Sequence, residues 1–165
     1  MNPIGSSPRR YVYLLPGALH CAGLPTVIST VLGSCIAVCL WDPVRRRGGM
    51  NHYVLPSGGA GGCDARYGDV AIDQLIEGME ALGCRARGLV AKVFGGAAVL
   101  PADSSYPSVG TQNLELALHR LAARRIKVVG RRTGGAHGLL VRFATDLGQA
   151  VLRNVPIQHG TASPA

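Results

Sequence analysis

Acidic residues, lysines, aromatic rings and long apolar runs are all scarce in this chain of 165 residues. It carries 9 acidic against 17 basic side chains, and aromatic residues make up 5% of it. Because no apolar run reaches the roughly 18–20 residues that span a bilayer, we expect no membrane insertion. The first ten residues are polar and lack the apolar stretch of a secretion signal, which predicts a cytoplasmic location.

The cysteines and the positive charge indicate neither a disulfide framework nor a nucleic-acid site. Five cysteines is an odd number, and no Cys-x-x-Cys pair occurs among them. The formal net charge of +8 comes mostly from scattered arginine runs such as 45–47 and 131–132, with no aromatic residues between them to stack on bases. We therefore expect no nucleic-acid binding. A solvated surface and docking to an acidic protein stay open as explanations.

The length and the order of apolar segments predict one α/β domain with a mixed, largely antiparallel sheet system and at least two helices. The segments 26–32, 36–41 and 50–55 are close together and predict an antiparallel meander. Residues 1–10 and 157–165 are expected to be flexible ends around a domain at 11–156, and the glycine-rich segment 57–68 a mobile loop. Strand patterns also occupy 11–15, 89–94, 126–129, 139–144 and 150–153, and helical patterns, capped by Asp69 and Thr111, occupy 69–82 and 111–124.

A cysteine and a histidine lie in two glycine-containing segments near the start of the chain. Cys35 follows Gly33-Ser34, and His52 follows Gly48-Gly49, which we interpret as a second turn. If the chain folds back between them, the imidazole can take the proton of the thiol, and the thiolate can then perform acyl transfer. The sequence therefore predicts Cys35 as nucleophile and His52 as base.

Neighbouring residues have predicted supporting roles. A glycine turn can aim consecutive backbone N–H groups at an oxyanion, so Gly33 and Ser34, together with Asn51, are predicted positioning residues. Ser29 or Thr30, on the strand before Cys35, can accept a hydrogen bond from the imidazole and fix its tautomer.

Zinc binding is the competing use of the same atoms. Cys35, Cys39, His52 and Cys63 are four residues of the types that ligate zinc. On a strand, however, Cys35 and Cys39 would lie about 13 Å apart, at roughly 3.3 Å per residue, which is too far for one ion. The β-branched stretch between them favours a strand, so we expect neither a metal nor another cofactor.

These residues resemble the CheD family, the chemoreceptor glutamine deamidases of bacterial and archaeal chemotaxis. The resemblance extends over about residues 11–153, and two blocks carry most of it, with seventeen residues from the cysteine to the histidine. The matching blocks are Thr30-Val31-Leu32-Gly33-Ser34-Cys35-Ile36-Ala37-Val38-Cys39-Leu40, Gly48-Gly49-Met50-Asn51-His52-Tyr53-Val54-Leu55-Pro56, Arg66-Tyr67-Gly68-Asp69, Lys92-Val93-Phe94-Gly95-Gly96-Ala97, Gly110-Thr111-Gln112-Asn113 and Thr133-Gly134-Gly135.

The resemblance implies a layered αββ fold and an enzyme that hydrolyses glutamine side chains to glutamate on the helical cytoplasmic region of methyl-accepting chemoreceptors. It implies Cys35 as nucleophile through a thioester, His52 as base, and a third catalytic residue six positions before the cysteine. That position is Ser29 here, with Thr30 beside it. Family members also bind CheC-type phosphatases, which implies an alternative role as a non-catalytic adaptor.

The chain departs from the family pattern near its C-terminus. The family usually has an acidic residue before the Thr133-Gly134-Gly135 turn and an arginine soon after it. This chain has Arg132 before the turn and His137 after it. We expect the change from acidic to basic to alter the local electrostatic field and a structural or partner-binding role.

Overall fold

The computed structural model of the protein describes residues 8–58, 62–98 and 105–157. These residues form two α-helices, a short 3-10 helix (Ala86–Gly88) and nine strands. The α-helices are α1 (Gly68–Ala81) and α2 (Val109–Ala123), and the strands are β1 (Arg10–Tyr13), β2 (Leu19–Ala22), β3 (Thr26–Leu32), β4 (Ile36–Asp42), β5 (Arg47–Asn51), β6 (Val90–Gly95), β7 (Lys127–Thr133), β8 (Gly138–Ala144) and β9 (Gln149–Val155).

The strands form two mixed sheets, and the helices cover one of them. One sheet has four strands in the order β1-β3-β8-β9, and the other has five in the order β2-β5-β4-β6-β7. Among the strand pairs formed by the described residues, two are parallel, β1–β3 and β6–β7, and the others are antiparallel. Both helices pack on the five-stranded sheet. The predicted α/β class and the layered αββ arrangement are confirmed.

Two apolar cores lie on either side of the five-stranded sheet, and β4 contributes to both. Its Ile36, Val38 and Leu40 side chains pack under the helices. Ala37 and Cys39 face the four-stranded sheet instead. Successive side chains of a strand point to opposite faces, so a strand between two layers is buried on both.

The helix α1 is held by one apolar face. Ile72, Leu75, Ile76 and Met79 recur at spacings of three and four residues, and all four are fully buried. Burying each such side chain stabilises the fold by about 1.5–3 kcal/mol. This is the face that the sequence predicts. Helix α2 begins earlier than expected, because the Ser108 hydroxyl rather than Thr111 is its N-cap and accepts a hydrogen bond from the Thr111 N–H at 3.1 Å.

The predicted meander is wrong in one strand. β4 and β5 form an antiparallel hairpin, but β3 lies in the other sheet, between β1 and β8. Gly48 and Gly49 are not a turn either, because they lie inside β5. The short strand β2 was not predicted from the sequence.

Some predictions concern the ends and the glycine-rich segment. Residues 1–7, 59–61 and 158–165 lie outside the described residues, so most of both expected flexible ends and part of the segment 57–68 lie there too. Among the described residues of the expected N-terminal end, Arg9 forms an ion pair with Asp146 at 2.8 Å, and Arg10 is the first residue of β1. No helix in the described ranges is long and apolar enough to cross a membrane.

The glycines of β5 allow the two layers on either side of it to come close. A Cβ atom at Gly48 would lie 2.9 Å from a ring carbon of Phe143 and 3.1 Å from the Cα of Thr145 in the opposite sheet. We therefore expect Gly48→Ala to lower the free energy of unfolding by about 1–3 kcal/mol, since backbone atoms must move to relieve the clash. Urea unfolding measures this.

Gly88 provides the matched control for this prediction. A Cβ atom there meets nothing within 4 Å, and Gly88 is in the 3-10 helix. Gly88→Ala should therefore change stability by no more than about 0.5 kcal/mol. Equal effects of the two substitutions would contradict the close packing at Gly48.

Candidate active site

The strand register places Cys35 and His52 on the same face of the five-stranded sheet. Cys39 pairs with Met50, and the bridge between Ile36 and Tyr53 continues the same register, with N–H to carbonyl distances of 3.1 and 3.0 Å. His52 is thus level with the residue two positions after Cys35. Such diagonal neighbours have Cα atoms about 7–8 Å apart, within reach of longer side chains.

The interior between the two sheets receives both side chains. Cys35 packs, partly buried, against the core cluster between the sheets. The His52 residue is only 2% exposed, and its ring contacts the facing sheet. This placement is consistent with the prediction that the segments around Cys35 and His52 fold back beside each other.

The tautomer of His52 follows from its contact with Thr30. Thr30 Oγ1 lies 2.7 Å from His52 Nδ1 and 2.8 Å from the carbonyl oxygen of Leu14. The carbonyl can only accept, so the single hydroxyl proton goes to Leu14, and Nδ1 must donate its own proton to Thr30. Nε2 then carries a free lone pair. Among the described residues this buried Nε2 has no hydrogen-bond partner.

Burial keeps both proposed reacting groups uncharged at neutral pH. Desolvation lowers the pKa of His52 to about 4, against a smaller opposing effect of the Leu14 carbonyl. Desolvation also raises the pKa of the Cys35 thiol, and the backbone N–H of Cys35 itself opposes this. The resting state is therefore a thiol and a neutral imidazole on the same face of the sheet, and the imidazole is a proton acceptor.

The bend before β4 exposes backbone donors. The Gly33 carbonyl accepts from the Ala97 N–H and the Cys35 carbonyl from the Gly96 N–H, both at 2.9 Å. Within residues 8–58, 62–98 and 105–157, the N–H groups of Ser34 and Cys35 donate to no oxygen acceptor. Two adjacent free N–H groups beside a thiol are a potential oxyanion site.

Asn113 ties this bend to the segment after His52. Its side-chain Nδ2 donates to the carbonyls of Ser34 at 3.1 Å and Val54 at 2.9 Å. The hydroxyl of Tyr53 in turn donates to the main-chain carbonyl oxygen of Asn113 at 2.5 Å. A single buried amide on α2 thereby fixes the distance between the two segments.

The predicted residues Asn51 and Ser29 lie outside this set of contacts. The Asn51 side-chain oxygen accepts from the Val38 N–H at 2.8 Å, so it supports the β4–β5 pair next to His52. Ser29 precedes Thr30 on β3 and therefore faces the opposite side of the sheet. Of the two alternatives left open by the sequence, Thr30 contacts the imidazole.

The zinc alternative finds no supporting cluster. Cys39 is buried between the sheets, four residues along β4 from Cys35, and Cys63 is exposed. No group of three or more His, Cys, Asp or Glu side chains in the described part of the chain could hold a metal ion.

The sequence did not predict two groups that contact the site residues, the Asn113 side chain and the Leu14 carbonyl. Asn113 had a visible signal, because a polar residue occupies the same helical face as Ala117 and Leu121, which are buried. It also belongs to the Gly-Thr-Gln-Asn block. Leu14 contributes only its main-chain oxygen, for which a sequence carries no signal.

The curated relatives align over nearly the whole chain, whereas the family model matches it from residue 54, after His52. Residues 54–154 match the protein-family model described as CheD chemotactic sensory transduction. A Rhodospirillum rubrum protein named "Probable chemoreceptor glutamine deamidase CheD" is 50% identical over 166 residues, covering 98% of this chain and 93% of that protein. The "Probable chemoreceptor glutamine deamidase CheD 1" of Anaeromyxobacter dehalogenans is 47% identical over 151 residues, 92% of this chain and 88% of its own. A Trichlorobacter lovleyi protein with the first name is 43% identical over 153 residues, 92% and 95% of the two chains.

The burial of His52 predicts a pH-dependent stability. The pKa of His52 is about 4 in the folded protein and 6.5 in its ordinary state, so only the unfolded chain takes up this proton between the two values. The free energy of unfolding should therefore be fully retained above pH 6.5 and fall as the pH is lowered from 6.5 to 4. Urea unfolding at a series of pH values measures the slope.

The matched variant for this measurement is His52→Gln, which should flatten the slope in that window. Asp42, Asp64 and Asp146, whose pKa values are lowered from the ordinary 3.8, add slope only below about pH 5, and they do so in both proteins. The difference between the wild type and His52→Gln therefore isolates the contribution of His52. A wild-type slope that persists in the His52→Gln variant would contradict the assignment.

Proposed function

The chain belongs to the CheD family, and from this premise we propose that it hydrolyses specific glutamine side chains of chemoreceptors to glutamate, using Cys35 as nucleophile. The observation that carries the proposal is the Thr30–His52 contact, because it leaves Nε2 unprotonated on the face that Cys35 shares. Such a nitrogen can accept a proton from the thiol.

In the first half of the reaction, Cys35 Sγ attacks the carboxamide carbon of the glutamine, and His52 Nε2 takes the thiol proton. The carbonyl oxygen becomes an oxyanion, which the free N–H groups of Ser34 and Cys35 stabilise. The intermediate collapses to a thioester, and protonated His52 gives its proton to the departing amide nitrogen, which leaves as ammonia.

In the second half, neutral His52 removes a proton from water, and the hydroxide attacks the thioester carbon. The carbon–sulfur bond breaks, the thiolate of Cys35 regains its proton from His52, and glutamate is released. Thr30 acts as a positioning residue in both halves, since its hydroxyl keeps the Nδ1 proton in place. The reaction uses no redox step and needs no metal or organic cofactor.

Membership of the family supports a proposal for the substrate and for the location. We propose that the target is the helical cytoplasmic region of a methyl-accepting chemoreceptor, which places the enzyme in the cytoplasm. The CheC-type phosphatase partner stays a prediction. An adaptor role of that kind needs no thiol chemistry, so it is separable from deamidation by substitution at Cys35.

Cys35→Ala should abolish ammonia release from a receptor cytoplasmic fragment while the protein stays folded, because the substitution removes the nucleophile and only one heavy atom of packing. Cys63→Ala is the matched control, since that thiol is exposed and far along the chain. Ammonia assay and mass spectrometry of the fragment measure the outcome.

Three results would distinguish the alternatives. Full activity of Cys35→Ala would discard the nucleophile. Cleavage of a peptide bond by the wild type would indicate a protease instead of a deamidase. Phosphatase pull-down by both the wild type and Cys35→Ala, without glutamate formation by either, would favour the adaptor role.

Thr30→Val should lower kcat by at least about tenfold, within the range that a positioned acid–base group supplies. It should also lower the free energy of unfolding by about 1–3 kcal/mol, because the buried Nδ1–H loses its acceptor. Thr30→Ser should restore both quantities. Ser29→Ala, on the opposite face of β3, should leave kcat unchanged; an equal loss there would contradict the assignment.

A further inference from the structure

A cavity of about 160 Å³ opens at the edge where β6 and β7 meet the ends of β8 and β9. It lies beside the Cys35 bend. Gly95, in its wall, pairs with Ile36, the residue after Cys35. Ala97, also in the wall, donates its N–H to the Gly33 carbonyl. His52 lies on the β5 side of the bend, so the cavity is on the other side of the proposed nucleophile.

Glycine at position 95 makes this closeness possible. Its φ of +105° is in the left-handed region, and a Cβ atom there would lie 2.2 Å from the carbonyl oxygen of Cys35. The wall of the cavity and the bend of the nucleophile are therefore in direct contact.

The cavity is basic. Its polar lining includes the side chains of Arg132, Thr133, His137 and Asn154, and none of the residues that line it in the described part of the chain is acidic. Arg132 Nη2 donates to Asn154 Oδ1 at 2.5 Å, which holds the guanidinium between the edge strands of the two sheets. A guanidinium has five N–H donors in a planar fork, so several remain for a ligand.

We propose that this cavity is a specificity subsite in which Arg132 binds a carboxylate next to the target glutamine. The inference rests on the proposed function and names a feature of its substrate: an acidic residue adjacent to the glutamine or one helical turn from it. A fork of guanidinium donors fits a carboxylate better than any neutral side chain.

The spacing between the strands that carry Arg132 and follow Cys35 is compatible with such a subsite. Two strand spacings separate Ile36 from Thr133 through Gly95, roughly 10 Å at about 4.8 Å each. Residues three or four apart on a helix have Cβ atoms about 5–6 Å apart. With a glutamine at Cys35, the extended side chains of a neighbouring acidic residue and of Arg132 bridge the remaining distance.

The test uses a receptor cytoplasmic fragment whose deamidated glutamine has been mapped by mass spectrometry, and a second version with the neighbouring acidic residues replaced by alanine. The wild-type enzyme should show a KM about three- to tenfold higher for the second version, as expected for one charge-assisted contact, with kcat little changed. Arg132→Ala should bring the ratio of the two KM values to about one.

Arg131→Ala is the matched control, because this exposed arginine precedes Arg132 and faces the other side of β7. It should keep the wild-type ratio. Arg132→Glu should prefer a fragment in which the acidic neighbours are replaced by lysine, which a purely structural role of Arg132 would not produce.

The outcomes separate the two proposals. If the wild type deamidates the fragment but the mapped glutamine has no carboxylate within one helical turn, the subsite is wrong and the deamidase stands. The same holds if the KM ratio of the wild type is one, or if Arg131→Ala and Arg132→Ala change it equally. If the wild type forms no glutamate at all, the proposed function fails and the subsite fails with it.

Discussion

The hydrogen bond between His52 Nδ1 and Thr30 Oγ1 spans the interior between the two sheets, and the proposed chemistry depends on it. Each partner comes from a different sheet, so the bond forms only when β3 and the end of β5 stack in one relative position. The Leu14 carbonyl completes the chain of donors and acceptors and decides which ring nitrogen is free. The packing of two apolar layers thereby sets the protonation pattern of a polar group between them.

The bend that carries Cys35 is held by three hydrogen bonds from two sides, and none of them uses a side chain of the bend. Backbone N–H groups of Gly96 and Ala97 bind it from the β6 side, and Asn113 binds it from the helix layer. All of these contacts use carbonyl oxygens of the bend. The N–H groups of Ser34 and Cys35 are consequently left free, as an oxyanion site requires.

Local patterns in the sequence predicted the elements well, and contacts between distant segments much less. The bounds of β3 and the apolar face of α1 follow from β-branched residues and helical spacing, which act within one element. The pairing of β3 with β8 depends on residues more than a hundred positions away, and a short turn after β3 wrongly favoured a hairpin. Gly48 and Gly49 were misread because close packing between layers and a tight turn both select glycine.

At the site, which of Ser29 and Thr30 contacts the imidazole depends on which face of β3 meets the other sheet, and the residues of β3 by themselves do not determine this. The last acceptor in the relay, the Leu14 oxygen, belongs to the main chain. A substitution at position 14 therefore does not delete that acceptor, although the Leu14 side chain is itself buried in the core between the sheets. The parallel alignment of β1 with β3 keeps this oxygen in place, so residue-by-residue comparison of homologues does not detect the last acceptor of the proposed relay.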